Sequence, residues 1–416
     1  MSEGSRSAGR GAVRGATDAA RRGLAAGHRV PGVAPRSAAE WVHRLAGGPR
    51  PARAYPTPGA SLTAGGIAKG VGIAAGVTAL AVGAVAAGLE VQSRVLARRL
   101  RDVDRETADL FALHSEGREL TTPDGVRLHV EVVEAPDAPD DLTVVWVHGY
   151  ALSMDNWYFQ RKAFAGQFRS VFYDQRSHGR SGHSAPELAR VPQLGADLEQ
   201  VIDEVVGDAP MVLVGHSMGG MTIMNLARRR PEWFGEHARV RGVALLNTSS
   251  GAMGRHSIVP GIPGTLFSRL APPVLTTLNR LPGLVGHVRR RSGDVSFVVA
   301  RRLSFADRNV SAKKVEFLNE MLQATPLDVV ADFYPTFATL DESGSFAALA
   351  RTDLLIIGGT DDLITPYSHT ETLIESLPGA ELLRLTETGH MSMIERDEQV
   401  NAALAGLFGR VRAASG

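Results

Sequence analysis

MVLVGHSMGG, residues 211–220, places a serine between a run of apolar residues and a helical pattern. The apolar run is typical of a buried strand, so Ser217 stands on a sharp turn from strand to helix. Backbone on such a turn is strained, and Gly215 and Gly219 remove side chains that would clash there. The turn points the Met218 amide at an oxygen that becomes negative when Ser217 attacks a substrate. The stretch therefore predicts a nucleophilic serine.

Strands alternate with helical patterns from about residue 117 onward. The Asp124-Gly125 dipeptide separates two short β patterns, as in a hairpin. Apolar runs that predict further strands occur at 142–147, 170–173, 211–214, 240–246, 353–357 and 381–385. Continuous apolar strands that alternate with helices indicate a doubly wound, mostly parallel α/β sheet with helices on both faces.

Residues 250–345 interrupt this alternation with helical patterns rich in Pro, Leu and Phe. We therefore expect a helical cap inserted between two strands. In it Phe267, Leu270, Phe297 and Phe305 are candidates for an acyl pocket, and the alternative for each is a place in the cap core. The predicted organisation is a disordered Arg/Gly/Ala-rich tail (1–65), an apolar helix (66–90), a linker helix (91–116), a first segment of the α/β core (117–249), the cap (250–345) and a second segment of the core (346–412).

The charge of the chain is unevenly distributed. Residues 1–70 carry ten Arg and one Lys against three acidic residues, a net charge of +8 in a chain whose total is +1. Residues 1–65 have no sustained apolar period, so we expect a solvated, disordered tail. The loose Arg spacing without interleaved aromatic residues does not favour nucleic-acid binding. Arg outnumbers Lys about tenfold, which indicates a GC-rich, bacterial source.

The segment 71–89, VGIAAGVTALAVGAVAAGL, contains no charged residue. A helix of this length reaches roughly 28 Å, close to the thickness of a bilayer core. Ala and Gly dominate it, so a transmembrane helix, a buried packing helix and a signal-like segment all stay open. The length of this segment leads us to expect a membrane-associated protein, and the Arg residues between positions 94 and 101 favour a cytoplasmic C-terminal body. A cytoplasmic protein without membrane attachment is the alternative.

Asp362 and His390 follow two later strands of the predicted sheet. A serine hydroxyl needs a base to take its proton, and the base needs an acid to orient it. The chain order Ser217, Asp362, His390 matches this triad on an open α/β sheet, and all three residues follow strand carboxyl ends, where ligands bind. The spacing to the flanking glycine and proline favours Asp362 over Asp361.

The absence of Cys excludes a thiol nucleophile, disulfides and Cys-ligated zinc.

Several motifs together make the chain from about residue 117 to 410 resemble the α/β-hydrolase fold superfamily. They are His148-Gly149-Tyr150, DQRSHGRS at 174–181, GHSMGG at 215–220, GTDD at 359–362 and Gly389-His390. The resemblance implies that Asp174 and Arg176 brace the sheet. His148 and His216 are expected to shape their loops through hydrogen bonds.

The resemblance also implies catalytic roles. Ser217 would be the nucleophile, His390 the base and Asp362 the acid that orients it. The backbone amides of Tyr150 and Met218 would form the oxyanion hole. A serine at this position argues against haloalkane dehalogenases and epoxide hydrolases, because those members of the superfamily use an aspartate there.

We therefore expect a serine hydrolase of esterase or lipase type that acts on carboxylic esters without a cofactor or metal. Its substrate would be a small-molecule ester or a lipid ester such as monoacylglycerol or lysophospholipid. Aminopeptidase, amidase or perhydrolase chemistry on the same triad is an alternative, and a non-catalytic, membrane-tethered binding module is another. A peptidase would use carboxylates in the cap, where Glu316 and Glu320 occur without any distinguishing pattern. The substrate-binding residues stay unassigned.

Overall fold

An eight-stranded sheet forms the centre of the computed structural model, which describes Ala97 and residues 108–137, 142–251 and 293–414. The strands are β1 (Gly117–Thr121), β2 (Arg127–Val133), β3 (Thr143–Val147), β4 (Arg169–Tyr173), β5 (Met211–His216), β6 (Val240–Leu246), β7 (Asp353–Gly359) and β8 (Glu381–Leu385). Each strand lies where the apolar pattern predicts it, within a few residues.

Helices connect the strands and cover the sheet. They are α1 (Tyr158–Phe164), α2 (Val191–Val201), α3 (Met218–Arg229), α4 (Gly293–Ser304), α5 (Ala312–Ala324), α6 (Leu327–Ala338), α7 (Phe346–Leu349), α8 (Tyr367–Ser376), α9 (Ser392–Glu395) and α10 (Asp397–Ala413). Helices α4, α5 and α6 come between β6 and β7 in the chain, inside the segment predicted as a cap.

The strand order is β1-β2-β4-β3-β5-β6-β7-β8. β2 is antiparallel to both β1 and β4, and every neighbouring pair from β4 to β8 is parallel. The prediction of a mostly parallel, doubly wound sheet is confirmed. Because parallel strands end at the same edge, the loops after β3, β5, β6, β7 and β8 lie along one side of the sheet.

Two apolar layers fill the space between the sheet and its helices. In β5, Met211 and Leu213 belong to one layer, while Val212 and Val214 belong to the other. Every residue of this strand is buried, which explains why its sequence is continuously apolar and does not alternate. The second layer also contains Trp146, stacked on Phe172 with ring centroids 5.6 Å apart.

The structure tests two further predictions, the linker helix and the acyl-pocket candidates of the cap. Residues 108–116 are not helical, so the linker helix predicted for 91–116 does not extend over them. There the Ser115 amide donates to the buried Glu131 carboxylate at 3.0 Å, a tertiary contact that overrides the helical pattern. Phe297 and Phe305 are buried in the second apolar layer, which they share with strand residues such as Trp146, so they belong to the packing against the sheet.

Other predictions fall outside the described residues. These are the tail at 1–65, the apolar segment 71–89 and the pocket candidates Phe267 and Leu270. Within the described ranges, no helix combines the length and the apolar character that a membrane crossing requires. The transmembrane helix therefore stays a prediction.

A buried arginine holds the hairpin turn against the body of the protein. Arg176 is fully buried and donates to Asp197 through two bonds, of 2.6 and 2.7 Å. It also contacts Asp124 of the β1–β2 turn at 2.8 Å. The hydrogen bonds to Arg176 hold the pKa of Asp124 at about 2, against the smaller opposing effect of burial. Arg176 is therefore structural, as expected, but it braces the hairpin turn against α2 and makes none of these bonds to a strand of the sheet.

Replacement of Arg176 should destabilise the protein strongly. The substitution Arg176→Met leaves the buried Asp197 carboxylate without its counter-charge, so we expect the free energy of unfolding to fall by about 3–5 kcal/mol. The matched control is Arg127→Met, which removes an exposed ion pair with Glu119 and should change that free energy by less than about 1 kcal/mol. Urea unfolding of both variants measures the difference, and equal losses would contradict the bracing role.

Candidate active site

Ser217 has the strained backbone predicted for it. Its φ is 52° and its ψ is −118°, which a residue other than glycine seldom adopts. Gly219 makes this turn possible, because a Cβ there would lie 2.0 Å from the carbonyl oxygen of Val147. A Cβ at Gly215 would lie 2.7 Å from the Gly219 carbonyl carbon. The two glycines thus admit the close backbone contacts on which the turn depends.

Hydrogen bonds hold the serine backbone on both sides. The Ser217 amide donates to the Leu246 carbonyl at 3.0 Å, and the Thr248 hydroxyl donates to the Ser217 carbonyl at 2.6 Å. Both partners belong to the end of β6 and the loop that follows it. The end of β6 and the loop after it therefore fix the backbone conformation of Ser217.

Asp362 and His390 meet at the carboxyl ends of β7 and β8. The Nδ1–H of His390 donates to Oδ2 of Asp362 at 2.8 Å, and both side chains are buried. Asp361 is exposed, and its carboxylate accepts a bond from the adjacent Thr360 hydroxyl. The structure thus brings His390 together with Asp362, the aspartate that the spacing favours.

Surrounding donors keep the Asp362 carboxylate ionised. Burial alone would raise its pKa, but the pKa is lowered overall because His390 and several other donors stabilise the anion. The Ile364 and Thr365 amides donate to Oδ1 at 2.8 and 2.9 Å, and the Asn247 side-chain amide donates to Oδ2 at 2.9 Å. A carboxylate held in this way can orient a histidine and stabilise its protonated form.

His216 connects the serine turn to the histidine loop. Its Nε2 lies 3.0 Å from the His390 carbonyl oxygen, which can only accept, so Nε2 carries the proton. Burial lowers the pKa of His216 well below the usual value, which leaves the ring neutral. Its Nδ1 faces Gly149, where a Cβ would lie 2.7 Å away. His216 is therefore the hydrogen-bonding residue expected from the sequence, and its proton is committed to that carbonyl.

A buried histidine shapes the loop that carries Tyr150. His148 Nδ1–H donates to the Gly149 carbonyl at 2.8 Å, and its Nε2 accepts from the backbone N–H of Gln175 at 2.9 Å. Burial, together with the nearby His178, lowers the pKa of His148 to about 3. The ring is neutral in a single tautomer and links the loops after β3 and β4.

The residues predicted to form the oxyanion hole occupy two adjacent backbone segments. Met218 begins α3, where an amide has no acceptor within its own helix. Tyr150 follows β3, and its hydroxyl donates to the Val330 carbonyl of α6 while its ring packs against Phe337 at 5.1 Å. The side chain of Tyr150 is thus anchored in the cap segment.

Two residues that contact Asp362 were not predicted from the sequence. Asn247 directly follows β6 with a φ of 44°, and its amide also reaches the Gly389 carbonyl at 3.2 Å. The Thr365 hydroxyl lies 2.8 Å from Oδ2 of Asp362 and 3.3 Å from Nδ1 of His390. The sequence does contain a signal for Asn247, because polar residues directly after a buried strand lie at the sheet edge where ligands bind.

Within the described residues, no three or more His, Asp and Glu side chains are arranged to hold a metal ion.

Similar proteins include hydrolases of several kinds. A protein named as a carbamate hydrolase, RutD, of Rhizobium rhizogenes is 27% identical over 292 residues, which span 68% of this chain and 98% of that protein. An sn-1-specific diacylglycerol lipase of Mus musculus is 25% identical over 257 residues, 59% of this chain and 74% of the lipase.

Solved structures share the fold at lower identity. A thermophilic esterase from Thermogutta terrifontis matches with a TM-score of 0.55 and 21% identity over 72% of this chain and all of the esterase. The enol-lactonase from Burkholderia xenovorans gives the same TM-score and identity over 70% of this chain and all of the lactonase. The model of the alpha/beta hydrolase family matches residues 144–403, more than half of the sequence. With the strand order and the serine turn described above, this match shows that the chain belongs to the alpha/beta hydrolase family.

Proposed function

We propose that the protein is a serine hydrolase that cleaves carboxylic esters through a covalent acyl-enzyme. The observation that carries this proposal is the 2.8 Å hydrogen bond between His390 and the buried Asp362. This pair lies on the same sheet edge as the strained turn at Ser217, and His216 joins the two loops. A binding module would have no use for a nucleophile, an oriented base and a buried acid in this arrangement.

The proposed reaction begins with proton transfer. Asp362 accepts from Nδ1–H of His390, so Nε2 is free to take the proton of the Ser217 hydroxyl. The serine oxygen then bonds to the ester carbonyl carbon, and the Tyr150 and Met218 amides stabilise the resulting oxyanion. Collapse breaks the bond to the leaving alcohol, which receives the proton from Nε2 of His390.

A water molecule completes the cycle. Nε2 of His390 takes one proton from the water as its oxygen attacks the acyl carbon. The second tetrahedral intermediate then collapses, the acid product leaves, and the Ser217 oxygen regains its proton. Each step uses the same base and the same oxyanion donors.

The similar proteins support a substrate with a carbonyl carbon, and two classes of such substrate stay open: carboxylic esters and carbamates. Ester hydrolysis agrees with the similarity to the diacylglycerol lipase, whose name specifies a lipid ester. Carbamate hydrolysis is the second candidate, favoured by the similarity to the protein named as carbamate hydrolase over nearly all of that protein's length. Both reactions begin with attack on a carbonyl carbon by the same serine.

The first test removes the nucleophile. We expect the full chain to hydrolyse nitrophenyl esters, and Ser217→Ala to reduce kcat by at least about 10⁴-fold, because the acyl-enzyme can no longer form. A series from acetate to palmitate, followed by release of nitrophenol, distinguishes small esters from lipid esters by the chain length with the highest kcat/KM. A folded Ser217→Ala variant that retains wild-type turnover would disprove the proposed nucleophile.

The second test compares two adjacent aspartates. Asp362→Asn should reduce kcat by about 10⁴-fold, because an amide in this place cannot hold His390 in the productive tautomer. Asp361→Asn is the matched control and should leave kcat nearly unchanged, since Asp361 is exposed and bonds to its neighbour Thr360. Equal effects from the two substitutions, measured with the preferred nitrophenyl ester, would refute the assignment of the acid.

A further inference from the structure

A second buried carboxylate lies close to the histidine loop. Glu395 ends α9, five residues after His390, and only 7% of its surface is exposed. Its Oε2 accepts from the Gly389 amide at 2.7 Å. Its Oε1 accepts from the Ala306 and Asp307 amides at 2.9 and 2.5 Å. One side chain therefore holds backbone donors from two segments far apart in sequence.

The two segments also touch directly. The Met391 amide donates to the Ser304 carbonyl, the last residue of α4, at 3.0 Å. A Cβ at Gly389 would lie 2.6 Å from that same carbonyl oxygen and 2.9 Å from the Ala306 nitrogen. Both neighbours of His390 in the chain are thus fixed to the end of α4, Gly389 through Glu395 and Met391 by its own amide.

Charged side chains surround this junction. Arg396 pairs with Asp307 at 2.8 Å, and Lys314 of α5 pairs with Asp397 at the same distance. Burial raises the pKa of Glu395, while the three amide donors and Arg396 oppose that effect. The ion pairs link the same two regions of the chain, but Glu395 is the side chain that bonds to the residue preceding His390.

We propose that Glu395 is a positioning residue that couples the catalytic histidine to helix α4 of the cap segment. A shift of α4 moves the Ala306 and Asp307 amides, and the carboxylate transmits this shift to Gly389 and so to the His390 ring. The position of the base then depends on how the cap segment fits around a substrate. This inference rests on the proposed function, in which His390 is the base.

Glutamine separates hydrogen bonding from packing at this position. It fills nearly the same volume as Glu395, but one of the two acceptor oxygens becomes an NH₂ donor. Because all three facing groups are N–H donors, the amide can satisfy only one of the two segments. We expect Glu395→Gln to lower kcat by about 10- to 100-fold through misplacement of His390, with little change in KM. The matched control is Glu398→Gln on exposed α10 surface, which should behave as wild type.

The experiment measures kcat and KM of the full-length variants with the preferred nitrophenyl ester, together with hydrogen exchange at the Gly389, Ala306 and Asp307 amides. We expect a lower kcat per folded molecule of Glu395→Gln and faster amide exchange in at least one of the two segments. Wild-type kcat in Glu395→Gln would overturn it, and so would a loss of kcat that only follows the loss of folded protein.

A second variant and a parallel reaction separate the possible failures. If Glu395→Gln does not fold, the measurement is made on Glu395→Asp. This variant keeps the charge, but its side chain is one methylene too short to reach both segments. A wild-type kcat in Glu395→Asp overturns the proposal. Ser217→Ala is assayed in parallel. Failure of the proposed function would appear as wild-type turnover in Ser217→Ala, whereas failure of the present inference appears only in the Glu395 variants.

Discussion

The close contact between Gly219 and the Val147 carbonyl is the constraint on which the site depends. A side chain at Gly219 would penetrate this carbonyl, so the first turn of α3 can lie directly against the end of β3 only with glycine there. The segment that follows Val147 carries Tyr150, and the residue that begins α3 is Met218. The same contact therefore brings together the two backbone segments whose amides we assign to the oxyanion hole.

Several buried polar groups around the site bond to residues of other loops, and Asn247 makes three such bonds. Asn247 contacts Asp362 and Gly389 through its amide nitrogen and accepts from the Ser392 hydroxyl at 2.5 Å through its oxygen. A buried polar atom without a partner costs roughly 1–3 kcal/mol, so each loop stabilises the position of the others. The ends of β6, β7 and β8 are thereby bonded to one another, which keeps His390 and Asp362 aligned.

Periodicity and motifs predicted the strands, the strained Ser217 and the pairing of Asp362 with His390, because each depends on local sequence and on strand order. The contacts of Asn247 and Glu395 were not predicted. Asn247 contacts Asp362 across 115 residues and Glu395 contacts Ala306 across 89, and no local pattern reports such backbone geometry. The linker helix failed at residues 108–116 for a related reason, since the contact with Glu131 lies outside the periodicity that suggested a helix.

The cap segment contacts both loops that flank the serine turn. On the side of the loop after β3, Tyr150 bonds to the Val330 carbonyl of α6, and the Thr325 hydroxyl donates to the Ala151 carbonyl at 3.0 Å. On the side of the loop that carries His390, the Met391 amide donates to the Ser304 carbonyl at the end of α4. The serine turn itself bonds to Leu246 at the end of β6 and to Thr248 in the loop after it. A displacement of the cap helices would therefore move the Tyr150 loop and the His390 loop relative to Ser217, which is the geometric basis of the coupling that we propose.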